Sequence, residues 1–157
     1  MTDLLLAGEA LNGRSGHEAG RQLLARLYRE YTGRDCPEIR VTDRGKPCFV
    51  GDTVHFSISH TPRHVFCALS GAPIGIDAEE TDRDINLKLA GKILSPSELA
   101  RFDGTKQALL RLWVLKEAAA KLSGEGLRGY PNHTDFRLDD RRVTERDGCL
   151  LAVLTQE

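Results

Sequence analysis

The chain has no apolar run near the roughly 20 residues that crossing a bilayer requires. It also has no surplus of positive charge: 22 Lys and Arg stand against 23 Asp and Glu, a net charge of −1. A broad basic footprint for nucleic acid is thereby excluded, and any work done by cations must be local. Cysteine is sparse, and Cys36, Cys48, Cys67 and Cys149 include no C-x-x-C pair. That spacing offers neither a disulfide framework nor a paired-cysteine metal site, so a reduced protein without zinc is expected. The opening residues, MTDLLLAGEAL, carry no basic segment and no A-x-A pattern, which predicts a cytoplasmic protein with no targeting segment and no membrane contact. Low-complexity segments and short repeats are absent. A length of 157 residues suffices for one domain with a real core.

What is present is organised around Leu109–Lys121, LLRLWVLKEAAAK. Nothing in it breaks a helix, and Leu, Ala, Lys and Glu favour one. It is apolar almost all the way round, the pattern of a helix buried between other elements. Beyond Arg111 near its start, three charges interrupt it: Lys116, Glu117 and Lys121. Glu117 shares a face with Leu110, Trp113 and Val114, and Lys121 lies one turn on. Charges on such a face are costly unless partnered. They form either a buried Glu–Lys pair, or snorkelling side chains, or part of a site.

Taken in order, Asp3–Ala7 predicts a short strand. Ser15–Glu18 is a capping box, and Ala19, Leu23, Leu24, Leu27, Tyr28 and Tyr31 continue at helical spacing until Gly33. Ile39–Thr42 predicts a strand, and Arg44-Gly45-Lys46-Pro47 a turn. Val54–Ser59 alternates, with Val54, Phe56 and Ile58 opposite His55, Ser57 and Ser59. His64–Leu69 and Ile74–Glu79 predict two further strands, the three together an antiparallel meander. Ile85–Leu94 is weakly amphipathic. Ser95, Pro96 and Glu98 start a helix ending near Phe102. Gly124, Gly126 and Gly129 predict a loop after the central helix. Phe136–Leu138, Val143–Glu145 and Cys149–Leu154 predict strands, the last two joined at Asp147-Gly148.

Chemistry concentrates at GIDAEE. Asp77 and Glu79, two apart on a strand, point the same way. Adjacent carboxylates repel unless protonated or holding a cation. Oxygen ligands with no His or Cys beside them suit Mg²⁺ or Mn²⁺. A solvated acidic edge is the plainer alternative. With Glu117 the pair makes a three-carboxylate set, and Lys121 suits a phosphate oxygen. Metal, phosphate and lysine are recurring parts of phosphoryl-type transfer. Ser59 and His60 end a buried strand, and either serve structure or donate to phosphate.

The ordered set GKP (45–47), HFSISHT (55–61), PIGIDAEE (73–80) and LWVLKEAAAKLSGEGL (112–127) resembles the 4′-phosphopantetheinyl transferase superfamily, over about residues 14–138. It is closer to the two-halved type that activates surfactin-like, secondary-metabolite and siderophore synthetases than to the short trimeric holo-acyl-carrier-protein synthases. The resemblance implies an α+β fold of two similar halves with pseudo-twofold symmetry, about residues 1–72 and 73–157 of one domain. It implies Mg²⁺ (or Mn²⁺) on Asp77, Glu79 and Glu117, and coenzyme A, the substrate, on Arg44, Gly45, Lys46, Pro47, Ser59, His60, Lys116 and Lys121. The implied reaction transfers 4′-phosphopantetheine to a serine of an acyl, peptidyl or aryl carrier protein. Asp77, Glu117 and Lys121 would be catalytic, and adenosine 3′,5′-bisphosphate would leave. Two halves in one chain imply a monomer.

The sequence departs from this pattern at its start. About a dozen residues precede the Ser15 helix, where the family carries a longer, basic N-terminal half, so Arg14 or Arg21 is expected to substitute. Two other classes remain open at this stage: a non-catalytic carrier-binding homologue, and a metal-dependent nuclease, to which the helical spacing of Glu117 and Lys121 and the neutral charge are opposed. The segment Arg83–Gln107, with apolar residues flanked by Lys88, Lys92 and Arg101, is the expected carrier-docking surface.

Overall fold

In the computed structural model, which describes residues 3–124 and 131–156, β1 (Leu4–Ala10) leads into helix α1 (Gly16–Thr32). The Ser15 side chain accepts the Glu18 N–H and Gly33 closes the helix at φ 75°, so both ends satisfy backbone groups that a helix leaves orphaned. The chain then forms a hairpin of β2 (Ile39–Val41) and β3 (Pro47–Phe49), followed by β4 (His55–His60), β5 (His64–Ser70) and β6 (Ile74–Glu80). A 3-10 turn at Leu87–Leu89 leads to α2 (Ala90–Ile93), α3 (Pro96–Arg101) and the central helix α4 (Lys106–Ser123). Strands β7 (Val143–Arg146) and β8 (Cys149–Thr155) complete the fold. Among the described residues no helix is long and apolar enough to cross a membrane.

One antiparallel sheet has the order β1-β5-β4 and a second the order β6-β8-β7. The predicted meander is therefore corrected. Strand β5 already pairs with β1 on one edge and β4 on the other, so no edge is left for β6, which joins β8 instead. The sheets still meet at β4 and β6, through hydroxyls rather than a backbone ladder. Ser57 Oγ accepts the Ile76 N–H and Ser59 Oγ the Ala78 N–H, both at 3.0 Å.

Period-2 alternation sorts the core into layers. Val65, Cys67 and Leu69 of β5 pack with Leu23, Leu24 and Leu27 of α1. Phe66 and Ala68, on the opposite face of β5, pack with Ile74, Ile76 and Ala78 of β6 and with Cys149 and Leu151 of β8. Leu150, Ala152 and Leu154 of β8 meet Leu110, Val114 and Ala118 of α4. Helix α4 is buried as its composition predicts, capped by Thr105 and by Gly124 at φ 74°. One local expectation fails. Phe136–Leu138 is not a strand, because the Phe136 N–H is taken by Glu98 Oε2 at 2.7 Å rather than by a sheet neighbour. Ile85–Leu94 divides into the 3-10 turn and α2. Gly126 and Gly129 lie outside the described residues.

Candidate active site

The β6 alternation that sends Ile74, Ile76 and Ala78 into the intersheet layer turns Gly75, Asp77 and Glu79 the other way, toward α4. A Cβ at Gly75 would stand 2.1 Å from the Ala118 carbonyl oxygen, so only glycine lets strand and helix approach this closely. That approach brings Lys121 Nζ within 3.3 Å of Asp77 Oδ1 and 3.1 Å of the Ile58 carbonyl. The Ser59 hydroxyl donates to the same Asp77 oxygen at 3.2 Å. Asp77 Oδ2 is buried and has no hydrogen-bond partner.

A buried carboxylate resists ionising. Burial pushes the Asp77 pKa from 3.8 to about 7; Lys121 opposes this, and the Glu117 and Glu79 charges add to it. Burial also raises Glu117, against Lys121 and with Glu79. The three carboxylates thus share one field, but their oxygens do not all lie within 4.8 Å of one another. Glu79 is ion-paired with Arg83, and among the described residues the one set of His, Cys, Asp or Glu ligand atoms within 4.8 Å of one another lies elsewhere, at His64, Glu80 and Cys149. Excess negative charge, oxygen donors and one orphaned buried oxygen fit a hard divalent cation.

Glu117 and Lys121 open onto a cleft of about 260 Å³ lined also by Arg44, Gly45, Lys46, Pro47, Phe56, Ser57, Ile58 and Ala120. The β2–β3 turn reaches it because Lys46 Nζ donates to the Leu122 carbonyl at 2.9 Å. Lys46 is thus anchored to α4, and burial lowers its pKa. His60 and Glu79 line a second depression of about 620 Å³, with Thr61, Arg63, Glu80 and Arg83. The His60 ring lies over Gly16, where a Cβ would come within 2.2 Å.

Several assignments need correction. Lys116 does not reach the cleft. It is 2% exposed, pairs with Glu98 Oε1 at 2.8 Å, and donates to the Pro131 and Thr134 carbonyls at 2.8 and 2.7 Å. It ties α3 and the segment after the central helix to α4, and burial lowers its pKa. Ser59 is buried with its one proton committed to Asp77, so it positions that carboxylate rather than donating to phosphate. Arg14 is spent on Glu9, Gln22 and the Leu11 and Ala10 carbonyls. Sequence reasoning missed three contributors. Ser57 was visible in the β4 alternation, Arg83 as a cation four residues after Glu79, and Gly75 only from the packing.

A family model described as the 4′-phosphopantetheinyl transferase superfamily matches residues 73–151, the span holding Asp77, Glu79, Glu117 and Lys121. The chain belongs to this superfamily. It is 35% identical to 4′-phosphopantetheinyl transferase Sfp of Bacillus subtilis (strain 168) over 115 residues, 68% of this chain and 49% of that protein. Against 4′-phosphopantetheinyl transferase gsp of Aneurinibacillus migulanus it is 34% identical over 56% of this chain and 38% of the relative. Against 4′-phosphopantetheinyl transferase psf-1 of Bacillus pumilus it is 31% identical over 90% of this chain and 59% of the relative. The chain spans about half the length of the curated relatives it matches.

Proposed function

We propose that this protein transfers the 4′-phosphopantetheine group of coenzyme A to a serine of an apo carrier protein. One observation carries the reading. The buried Asp77 carboxylate has one oxygen held by Lys121 and Ser59 and the other without a partner, beside Glu117 and a cleft walled by the Gly45-Lys46-Pro47 turn.

Asp77, Glu79 and Glu117 are the residues that would hold Mg²⁺ or Mn²⁺. When bound, that ion supplies positive charge against the coenzyme A pyrophosphate. The remaining work belongs to the chain. Arg44–Pro47 and the β4 wall hold the nucleotide end in the cleft, and His60 faces the phosphates from the neighbouring depression. Glu117, its pKa raised by burial, accepts the proton of the carrier serine, the role for which a carboxylate of raised basicity is suited. The serine oxygen forms its bond to the β-phosphorus as the bond from that phosphorus to the bridging oxygen breaks. The electron pair leaves with adenosine 3′,5′-bisphosphate, whose new charge faces the Lys121 ammonium.

The two halves, about 1–72 and 73–157, are read as related by a pseudo-twofold axis. Support comes from their order: each sheet places its first strand beside its last, with the remaining strand outside and a long helix against one face. Release of adenosine 3′,5′-bisphosphate, followed by chromatography, is the test. Release requiring both Mg²⁺ and apo carrier is expected; release unaffected by leaving out the carrier contradicts the proposal.

A further inference from the structure

We infer that His64, Glu80 and Cys149 form a second metal site, for a borderline-soft divalent cation of the zinc class, at one end of the layer between the two sheets. The three side chains come from three strands. His64 opens β5, Glu80 closes β6 and Cys149 opens β8, and Glu80 and Cys149 are register partners. His64 Nδ1 lies 3.3 Å from Glu80 Oε1 and 3.7 Å from Cys149 Sγ, and all three ligand atoms fall within 4.8 Å of one another. Bond lengths of about 2.0 Å to nitrogen or oxygen and 2.3 Å to sulfur, opened at a tetrahedral angle, separate neighbouring ligand atoms by about 3.3 to 3.5 Å. Two of the three spacings, those from His64 Nδ1, are therefore near those of a filled site before any ion binds.

The donor set distinguishes this place from the Asp77 carboxylates. Nitrogen, sulfur and one carboxylate oxygen together suit zinc, whereas magnesium prefers oxygen alone. The two places also lie on opposite faces of β6, since Glu79 and Glu80 are consecutive. Glu80, with Thr61 and Arg63, lines the depression of about 620 Å³, from which a water would complete the coordination, while Cys149 is fully buried. The cation now on Glu80 is Arg63, whose Nε lies 2.8 Å from Glu80 Oε1 with the side chain 61% exposed. An entering ion would displace it from Glu80, leaving Arg63 on Asp82, to whose two carboxylate oxygens it already donates at 3.0 Å.

The plainer account is a hydrogen-bonded His64–Glu80 pair beside a cysteine acting as a small apolar side chain. That account does not call for a thiol at 3.7 Å from the same imidazole nitrogen. Binding would release the Cys149 proton to solvent and join β5 of one sheet to β6 and β8 of the other. The site owes nothing to the transfer reaction, so neither reading falls with the other.

Cobalt(II) is the probe, added to the intact chain in excess Mg²⁺ so that oxygen-only sites are filled. One equivalent should give a near-ultraviolet thiolate-to-cobalt charge-transfer band, and Zn²⁺ should abolish it and raise the thermal unfolding midpoint. Cys149→Ser should remove the band, Glu80→Gln should weaken binding more than about tenfold, and Cys36→Ser should change nothing. Absence of the band in the wild type, or its survival in Cys149→Ser, overturns the inference. If Cys149→Ser does not fold, His64→Gln replaces it: a weakened band supports the site, and unchanged affinity overturns it.

Discussion

Gly75 and Ala118 touch so closely that a single methyl group at residue 75 would stand 2.1 Å from the Ala118 carbonyl oxygen. The obstacle is backbone, which cannot swing aside as a side chain can. Gly75→Ala should therefore push β6 from α4, destabilise the fold by about 1–3 kcal/mol, and weaken Mg²⁺ binding by separating Asp77 from Glu117 and Lys121. Gly91→Ala is the control. Nothing lies within 4 Å of its added Cβ, and its effect should be neutral or stabilising by about 0.4–1 kcal/mol. Chemical denaturation of both variants measures the contrast.

Asp77 makes stability depend on pH. In the fold it holds its proton up to about pH 7, against 3.8 for an ordinary aspartate. Between those values the folded state binds more protons than the unfolded state, so stability falls as pH rises. Its contribution is complete below about 3.8 and lost on passing about 7, a difference of order 4 kcal/mol. With divalent ions chelated, the thermal midpoint should drop between about pH 4 and 7, and Asp77→Asn should flatten that drop. Added Mg²⁺ should restore the midpoint most at the alkaline end.

Lys116 and Glu98 form a pair with almost no exposed surface. Removing one partner strands the other charge in the interior, at about 3–5 kcal/mol. Glu98→Ala should lower the unfolding free energy measured by chemical denaturation by that amount, with the KM for coenzyme A unchanged in the fraction that folds. A Lys116→Met variant of full stability but raised KM would return Lys116 to the cleft.

Carrier docking is expected at the groove of about 550 Å³ lined by Arg83, Ile85, Leu89, Lys92, Ile93 and Trp113. Leu87 and Leu89 are 38% and 37% exposed beside Lys88 and Lys92. Arg101, at the end of α3, by contrast pairs with Asp135. Reversing the charges of Lys88 and Lys92 should raise the KM for carrier several-fold and leave that for coenzyme A alone. Steady-state kinetics with each substrate varied in turn would show it, and equal effects on both would move the surface elsewhere.

Local physics was legible in the sequence. The Ser15, Ser95 and Gly124 caps, the β4 alternation and the burial of α4 follow from neighbours within a turn or two. Asp77, Glu117 and Lys121 could be picked out because charge in an apolar element demands a partner. Partnerships across the chain were not legible. Glu98 meets Lys116 through helix packing, β1 takes the edge that β6 was expected to fill, and His64 and Cys149 meet across 85 residues. No spacing rule encodes such a cluster, which is why four scattered cysteines suggested no metal.

The central claim is that Asp77, Glu117 and Lys121 serve group transfer from coenzyme A to a carrier. It is tested most directly by intact-protein mass spectrometry of an apo carrier after incubation with coenzyme A, Mg²⁺ and either wild-type protein or folded Glu117→Gln. The account predicts that the wild type adds the mass of one 4′-phosphopantetheine group to the carrier serine, and that Glu117→Gln does so at least about a hundredfold more slowly. An unmodified carrier with the wild type, or equal rates for the two proteins, would contradict it.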